Sequence, residues 1–308
     1  MPIALMVTDR DLTPLKKSLQ HKLPNTEIIA WPDMTVRDDI EFVVVWRHPE
    51  DMWKAYPNIK VAASLGAGVD QITQDSGCPQ ALVLTRIVDE DLAEQMAEYV
   101  LTGILMAKRR FPLYNLAQQR KKWVYEERAN GKNVTVLGAG HLGLSIVRCL
   151  ARNGFTVSTW SQSKKCEAAI AHSFTGDAQL LDSVKSADYV VAILPSTPAT
   201  DDVINQSVFD AMPMHAQFIN VGRGNAVDEK ALLHSLTMGN IAGAIVDVFK
   251  QEPLPKESPL WQAPNLIITP HISAITNQEN IVNQIVDNYH RFKANKPLKH
   301  QVERKKGY

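Results

Sequence analysis

The chain has 308 residues, long enough for two domains that each bury a proper core. Its 33 basic and 33 acidic residues balance, which speaks against a nucleic-acid partner or an anionic membrane surface. Three cysteines (Cys78, Cys149, Cys166) without a C-x-x-C pair argue against a zinc site or a disulfide framework, and the early charges of MPIALMVTDRD argue against a signal peptide or membrane span. A cytoplasmic enzyme with no metal is therefore expected.

The first hundred residues read as an α/β unit. Apolar runs at Ile3 to Thr8, Glu27 to Trp31, Phe42 to Trp46, Lys60 to Ser64 and Leu82 to Thr85 predict strands, with a helix over Leu12 to Lys22. The fourth run feeds Leu65-Gly66-Ala67-Gly68-Val69-Asp70. Small residues between a strand and a helix present backbone amides to an anion such as a carboxylate. The same pattern also fits a plain strand-to-helix turn.

Asp89-Glu90-Asp91 places acids at the positive end of a long helix, and Lys108-Arg109-Arg110 places bases at its negative end. Its apolar residues (Leu92, Met96, Tyr99, Val100, Gly103, Ile104, Met106) cover more than one face, so burial between domains or against another subunit is expected. A second helical segment continues to about Arg120, and Asn130-Gly131 marks a turn.

The strongest single signal follows. An apolar run (Val134, Val136, Leu137) enters Gly138-Ala139-Gly140-His141-Leu142-Gly143, and helix-period residues (Leu144, Ile146, Val147, Leu150) continue to Asn153-Gly154. Strand, G-x-G-x-x-G and helix in that order constitute a dinucleotide fingerprint. Gly138 permits the tight turn, Gly140 lets a pyrophosphate approach, and Gly143 lets helix and strand pack closely. The pyrophosphate would sit on the helix N-terminus.

The next strand, Phe155 to Trp160, ends at Ser161-Gln162-Ser163-Lys164-Lys165. NAD-binding folds place an acid there, roughly 20 residues beyond the glycines, to bond the ribose hydroxyls. A carboxylate would repel a 2′-phosphate, whereas a serine with two lysines can hold one, so NADP(H) is expected over NAD(H). The alternative is that the lysines are only surface residues. Strand and helix signals then alternate to Leu266–Thr269, the rhythm of a doubly wound parallel sheet, and a last helix spans about Asn277 to Lys293.

Ligands bind beyond the carboxyl ends of such strands. Three ends carry polar residues: Asn220-Val221-Gly222-Arg223-Gly224, Asp247-Val248-Phe249 with Glu252-Pro253-Leu254-Pro255, and Thr269-Pro270-His271-Ile272-Ser273. One Arg, one Glu and one His beside a nicotinamide suit reduction of a carbonyl. Histidine, with a reference pKa of roughly 6.5, can give and take the proton. A neighbouring Glu252 would orient the ring, and Arg223 offers a planar fork for a carboxylate. Structural readings remain open at this point: a surface pair for Arg223, loop punctuation for Glu252 and a core histidine for His271.

These residues carry a resemblance over the whole chain to the D-isomer-specific 2-hydroxyacid dehydrogenases. It rests on GAGHLG, the preceding Ala97-Glu98 helix, NVGRG, DVFKQEPLP and TPHISA. WRHP at Trp46 to Pro49, SLGAGVD, WSQSKK, SPLW and the ending QVERKKGY resemble the bacterial subgroup that reduces glyoxylate and hydroxypyruvate. The resemblance implies an α/β fold of two Rossmann-like parallel-sheet domains, one flavodoxin-like and one dinucleotide-binding, with a cleft between them. Residues 1–98 with 282–308 would form the substrate domain, and 99–281 the cofactor domain with a dimerisation helix. It further implies Arg223, Glu252 and His271 as catalytic residues, with His271 the proton donor. Ser161, Ser163 and Lys164 would hold the 2′-phosphate of NADP. Leu194, Pro195, Val221, Gly222, Asp247 and Ala274 would line the rest of the cofactor site, with Asp247 on the nicotinamide carboxamide. Leu65, Gly66, Ala67 and Gly68 would bind the substrate carboxylate, and Trp46 and Arg47 would limit the substrate to small acids. A homodimer is implied as well. Alternatives are another NAD(P)-dependent D-2-hydroxyacid dehydrogenase, or a non-enzymatic dinucleotide-sensing binding protein on the same scaffold.

Overall fold

Short runs of β-branched and small apolar residues form twelve strands among the described residues, 1–34 and 38–304 of a computed structural model. The chain divides into two units, Met1–Glu90 with Thr276–Tyr308, and Asp91–Ile275. Of the QVERKKGY ending, residues 305–308 lie outside the described part.

In the first unit, β1 (Ile3–Met6), β2 (Ile28–Ala30), β3 (Phe42–Val45), β4 (Val61–Ser64) and β5 (Val83–Thr85) form a parallel sheet in the order β2-β1-β3-β4-β5. That is the flavodoxin-like order. Its central strands are buried on both sides, which fits their being apolar at every position but Ser64, the last of β4. Ile3 and Leu5 face a core with Leu15, Leu19, Val282, Ile285 and Tyr289; Ala4, Met6, Val43 and Val45 face another with Trp53 and Ile72. The C-terminal helix Gln278–Lys293 thus completes the N-terminal sheet, with Tyr289 edge-on to Phe42 at 5.5 Å.

In the second unit, β6 (Asn133–Leu137), β7 (Thr156–Ser161), β8 (His172–Thr175), β9 (Tyr189–Ala192), β10 (Gln217–Asn220), β11 (Gly243–Val246) and β12 (Leu266–Ile268) are also parallel. The order β12-β11-β10-β9-β6-β7-β8 reverses at β6. The crevice beyond β6 and β9 is therefore the topological switch point, where such folds take ligands. The helix Glu90–Lys108 lays Met96, Ala97, Val100 and Ile104 against Val134, Val136, Ile219 and Ile245 of this sheet. Gly103 allows that approach, since a Cβ there would stand 2.8 Å from Ile245 Cδ1. Leu105, by contrast, is exposed.

Two features differ from the sequence expectation. The edge strand β8, with sequence HSFT, has no apolar run to signal it, and none of its residues is buried. The predicted strands Phe42 to Trp46 and Leu266 to Thr269 also end one residue early, at Val45 and Ile268, and β10 and β11 close at Asn220 and Val246. The residues released from the ladders (Trp46, Val221, Asp247, Thr269) begin the loops that carry the candidate site. No helix among the described residues is long and apolar enough to cross a membrane.

Candidate active site

The three fingerprint glycines separate by what surrounds them. Gly138 has φ +109°, and a Cβ on it would lie 2.5 Å from the Ile193 carbonyl oxygen. A Cβ on Gly143 would lie 1.9 Å from the Gly138 carbonyl oxygen. Both are fixed by the protein's own packing. Gly140 has nothing within 4 Å of that position, and it caps the helix His141–Arg152 without a side-chain hydrogen bond. This open cradle at a helix N-terminus fits a pyrophosphate. Ala139 is buried beneath it, and His141 and Leu142 are half-buried.

Ser161 closes β7, and its hydroxyl donates to the Ser163 carbonyl at 2.8 Å, which curls the following turn. Ser163 and Lys164 are exposed there, the last residue of the strand is a serine rather than an acid, and Asp177 Oδ1 accepts from the Gln162 side chain at 3.3 Å. Leu194 and Pro195 follow β9, Val221 and Gly222 follow β10, and a Cβ on Gly222 would stand 2.5 Å from the Leu194 nitrogen. The two loops meet at that glycine. Ala274 is half-buried against the core of the same unit.

The three candidate catalytic residues come from adjacent strand ends. The buried Asn220 accepts from Gly222 N–H at 3.2 Å and donates to the Arg223 carbonyl at 3.3 Å, shaping the turn that presents Arg223. A Cβ on Gly224 would sit 1.9 Å from the Phe249 carbonyl carbon, so this turn lies directly on the loop after β11. Phe249 N–H donates to Glu252 Oε1 at 3.0 Å. Glu252 Oε2 in turn pairs with Nδ1 of His271 at 2.7 Å. Burial pushes the Glu252 carboxyl up, but the His271 and Phe249 hydrogen bonds, with the charges of His271 and Arg223, hold it below its ordinary value. With Nδ1 taken by Glu252, Nε2 of His271 is the nitrogen left to meet a substrate. The side chain of His271 is 47% exposed.

Asp247 is fully buried. Its side chain accepts from Thr269 Oγ1, Ile272 N–H and Ser273 N–H, leaving one of a carboxylate's four acceptor directions for a further donor. The significance of Asn220 and Thr269 is invisible in composition or periodicity, because each is a single polar residue just at or past a strand end.

In the first unit, the six-membered ring of Trp46 lies over Gly66, where a Cβ would stand 2.5 Å from it, and the Arg10 guanidinium is 5.7 Å from the indole. Arg47 is half-exposed, 3.8 Å from Asp9. Leu65 N–H donates to the Val45 carbonyl at 3.0 Å, and Gly66 N–H donates to Ser64 Oγ at 3.2 Å. Of the four amides in the loop, Ala67 and Gly68 are those left for an outside anion. Among the described residues, no group of His, Cys, Asp and Glu has the makings of a metal site.

Residues 101–273 match the family model described as D-isomer specific 2-hydroxyacid dehydrogenase, NAD binding domain. A glyoxylate/hydroxypyruvate reductase A from Yersinia enterocolitica is 35% identical over 297 residues, 94% of either chain. Two solved structures are similar over 100% of this chain and 99% of theirs. One is a D-isomer specific 2-hydroxyacid dehydrogenase from Xanthobacter autotrophicus Py2 in complex with NADPH and MES, at a TM-score of 0.93 and 33% identity. The other is an NADPH-dependent glyoxylate/hydroxypyruvate reductase from Sinorhizobium meliloti in complex with NADP and sulfate, at a TM-score of 0.92 and 30% identity.

Proposed function

The chain belongs to the D-isomer-specific 2-hydroxyacid dehydrogenase family, and we propose that within it the protein is an NADPH-dependent reductase of small 2-keto acids. Glyoxylate would become glycolate and hydroxypyruvate would become D-glycerate. The observation that carries this reading is the Glu252–His271 pair beside the Arg223 turn, on the strand ends next to an open glycine cradle.

When bound, the dinucleotide supplies the hydride that reduces the keto carbon. Its pyrophosphate is held at Gly138 to Gly143, and its 2′-phosphate at Ser161, Ser163 and Lys164. Leu194, Pro195, Val221, Gly222 and Ala274 line its path, and Asp247 takes the carboxamide with its remaining acceptor direction. Arg223 binds the substrate carboxylate and polarises the carbonyl, a use of its planar fork that lysine cannot copy. His271 releases a proton from Nε2 to the developing alkoxide, while Glu252 holds Nδ1 and stabilises the protonated ring. In the first unit, the amides of Ala67 and Gly68 take the substrate carboxylate, and Trp46, with Arg47, limits the size of the acid.

Residues 1–98 with 282–308 act as the substrate domain and 99–281 as the cofactor domain. The working form is a cytoplasmic homodimer, a reading supported by the exposed apolar side chains of Phe111, Leu113, Leu116, Trp123 and Tyr125. A panel of 2-keto acids assayed with NADPH and NADH tests the assignment. Turnover of glyoxylate and hydroxypyruvate with NADPH is the expected result, and failure to oxidise NADPH with either acid would refute it.

A further inference from the structure

The candidate proton donor stands on an improbable piece of backbone. His271 has φ +56°, in the left-handed region that a non-glycine residue keeps only where its surroundings over-determine it. Those surroundings can be traced bond by bond. His271 N–H donates to the Asp247 carbonyl at 2.9 Å, and Thr269 N–H to the Val246 carbonyl at 3.1 Å. The Asp247 side chain holds Thr269 Oγ1, Ile272 N–H and Ser273 N–H, which brackets His271 on both sides.

Behind this bracket lies the helix Glu90–Lys108. Tyr99 Oη and Thr269 Oγ1 are 2.6 Å apart. Because the single Thr269 hydroxyl proton goes to Asp247, Tyr99 must donate to Thr269. One turn earlier on the same helix face, Gln95 closes a two-bond ring with the backbone of Ile275: Ile275 N–H to Oε1 at 3.0 Å, and Nε2 to the Ile275 carbonyl at 3.1 Å. Gln95 Nε2 is itself held by Asp91 Oδ2 at 2.9 Å. Two polar side chains on one face of this helix thus grip both ends of the segment 269–275.

We propose that Thr269 and Tyr99 are positioning residues that lock the segment around His271 so that its ring faces its substrate. This rests on the assignment of His271 as proton donor. Both act through the Asp247 side chain, as outer partners that fix a reacting group within the tolerance catalysis requires.

The decisive experiment measures single-turnover reduction of glyoxylate by NADPH in Thr269→Val, Thr269→Ser, Tyr99→Phe and the Tyr99→Phe/Thr269→Val double variant. NADPH affinity, glyoxylate KM and melting temperature are recorded alongside. Thr269→Val should slow the chemical step about tenfold or more while NADPH Kd and KM stay within about twofold. Thr269→Ser, which keeps the hydroxyl, should restore the rate to within about twofold of the unaltered enzyme. Tyr99→Phe should cost less, and the double variant should match Thr269→Val, because Tyr99 acts through that hydroxyl. The proposal is overturned if Thr269→Val turns over at the unaltered rate, if Thr269→Ser is as slow as Thr269→Val, or if the losses fall in Kd rather than rate. Should Thr269→Val fail to fold, Tyr99→Phe decides: an unaltered single-turnover rate refutes the relay, and a slowed one with unaltered Kd sustains it. A chain that reduces neither acid, or a His271→Asn variant that keeps full rate, overturns the functional reading and this proposal with it. Full His271 dependence with indifferent Thr269 and Tyr99 variants overturns this proposal alone.

Discussion

Oε2 of Glu252 stands 2.7 Å from Nδ1 of His271, while its Oε1 accepts the Phe249 amide. Burial raises the Glu252 carboxyl, yet the imidazole, the amide and the Arg223 charge together hold it below the ordinary carboxylate range. The acid limb of kcat should therefore lie below the ordinary glutamate value. Glu252→Gln keeps an acceptor for Nδ1 but removes the charge. It should lower kcat roughly ten- to a hundredfold and remove the acid limb that the Glu252 carboxyl sets. A pH–rate profile of the variant that superposes on the original would refute the coupling.

Arg223 carries a second prediction. A bidentate guanidinium on the substrate carboxylate, also aimed at the carbonyl, is stronger in the transition state than in the ground state. Arg223→Lys keeps the charge and loses the fork, so kcat/KM for glyoxylate should fall by about 10²-fold, with KM raised and kcat lowered. Steady-state kinetics decide, and equal values for the two proteins would exclude Arg223 as the ligand.

Much of this site could be read from the chain because its parts sit in short local motifs. The glycine turn, NVGRG, the Glu252 loop and TPHISA each announce a strand end within a few residues. What could not be read depends on distant packing. Tyr99 and Thr269 meet across 170 positions, and nothing in either neighbourhood marks the pair. Trp46 lies over Gly66 for a similar reason: sequence gives the loop and the aromatic but not their stacking. Likewise, sequence offers four amides at Leu65 to Gly68, whereas two are spent on Val45 and Ser64.

The cofactor assignment turns on Ser161. Its hydroxyl shapes the turn through Ser163, and Lys164 is exposed beside it. Ser161→Asp would place a charge at the proposed 2′-phosphate position and an acceptor pair suited to free ribose hydroxyls. NADPH kcat/KM should drop more than about tenfold, equivalent to 1.4 kcal/mol, while NADH kcat/KM rises. Retained NADPH preference in side-by-side assays would remove Ser161 from the phosphate site.

Asp188 makes a stability prediction away from the chemistry. Its Oδ2 accepts from Lys132 N–H and Asn133 N–H at 2.8 Å, and Oδ1 pairs with His215 at 2.9 Å, tying the start of β6 to β9. Burial raises its carboxyl, but these partners outweigh it and hold it below the ordinary aspartate value. A carboxylate depressed in the folded state stabilises above its unfolded pKa, about 3.9, and loses that contribution as pH falls through the folded value. Asp188→Asn should destabilise the protein at pH 7 by about 1–3 kcal/mol, with the gap to the original closing toward pH 3. Thermal melts across that range test it, and a pH-independent gap would contradict the sign.

The exposed aromatic residues make the last prediction. Trp123 and Tyr125 are 103% and 82% exposed, and Phe111, on the neighbouring helix Phe111–Gln119, is 59% exposed. Aromatic side chains bury roughly 150–250 Å² each when covered, worth about 4–6 kcal/mol apiece before ordering costs. Leaving three in water, with Leu113 and Leu116 also exposed, is an unusual number for a monomer, and a second copy of the chain is the occupant expected from the proposed homodimer. A self-complementary interface contains each residue twice, so one substitution is felt at two places. Trp123→Asp with Phe111→Asp should therefore shift the chain from dimer to monomer in sedimentation velocity at micromolar concentration, with far-UV circular dichroism unchanged. An unaltered chain that sediments as a monomer there would refute the assignment.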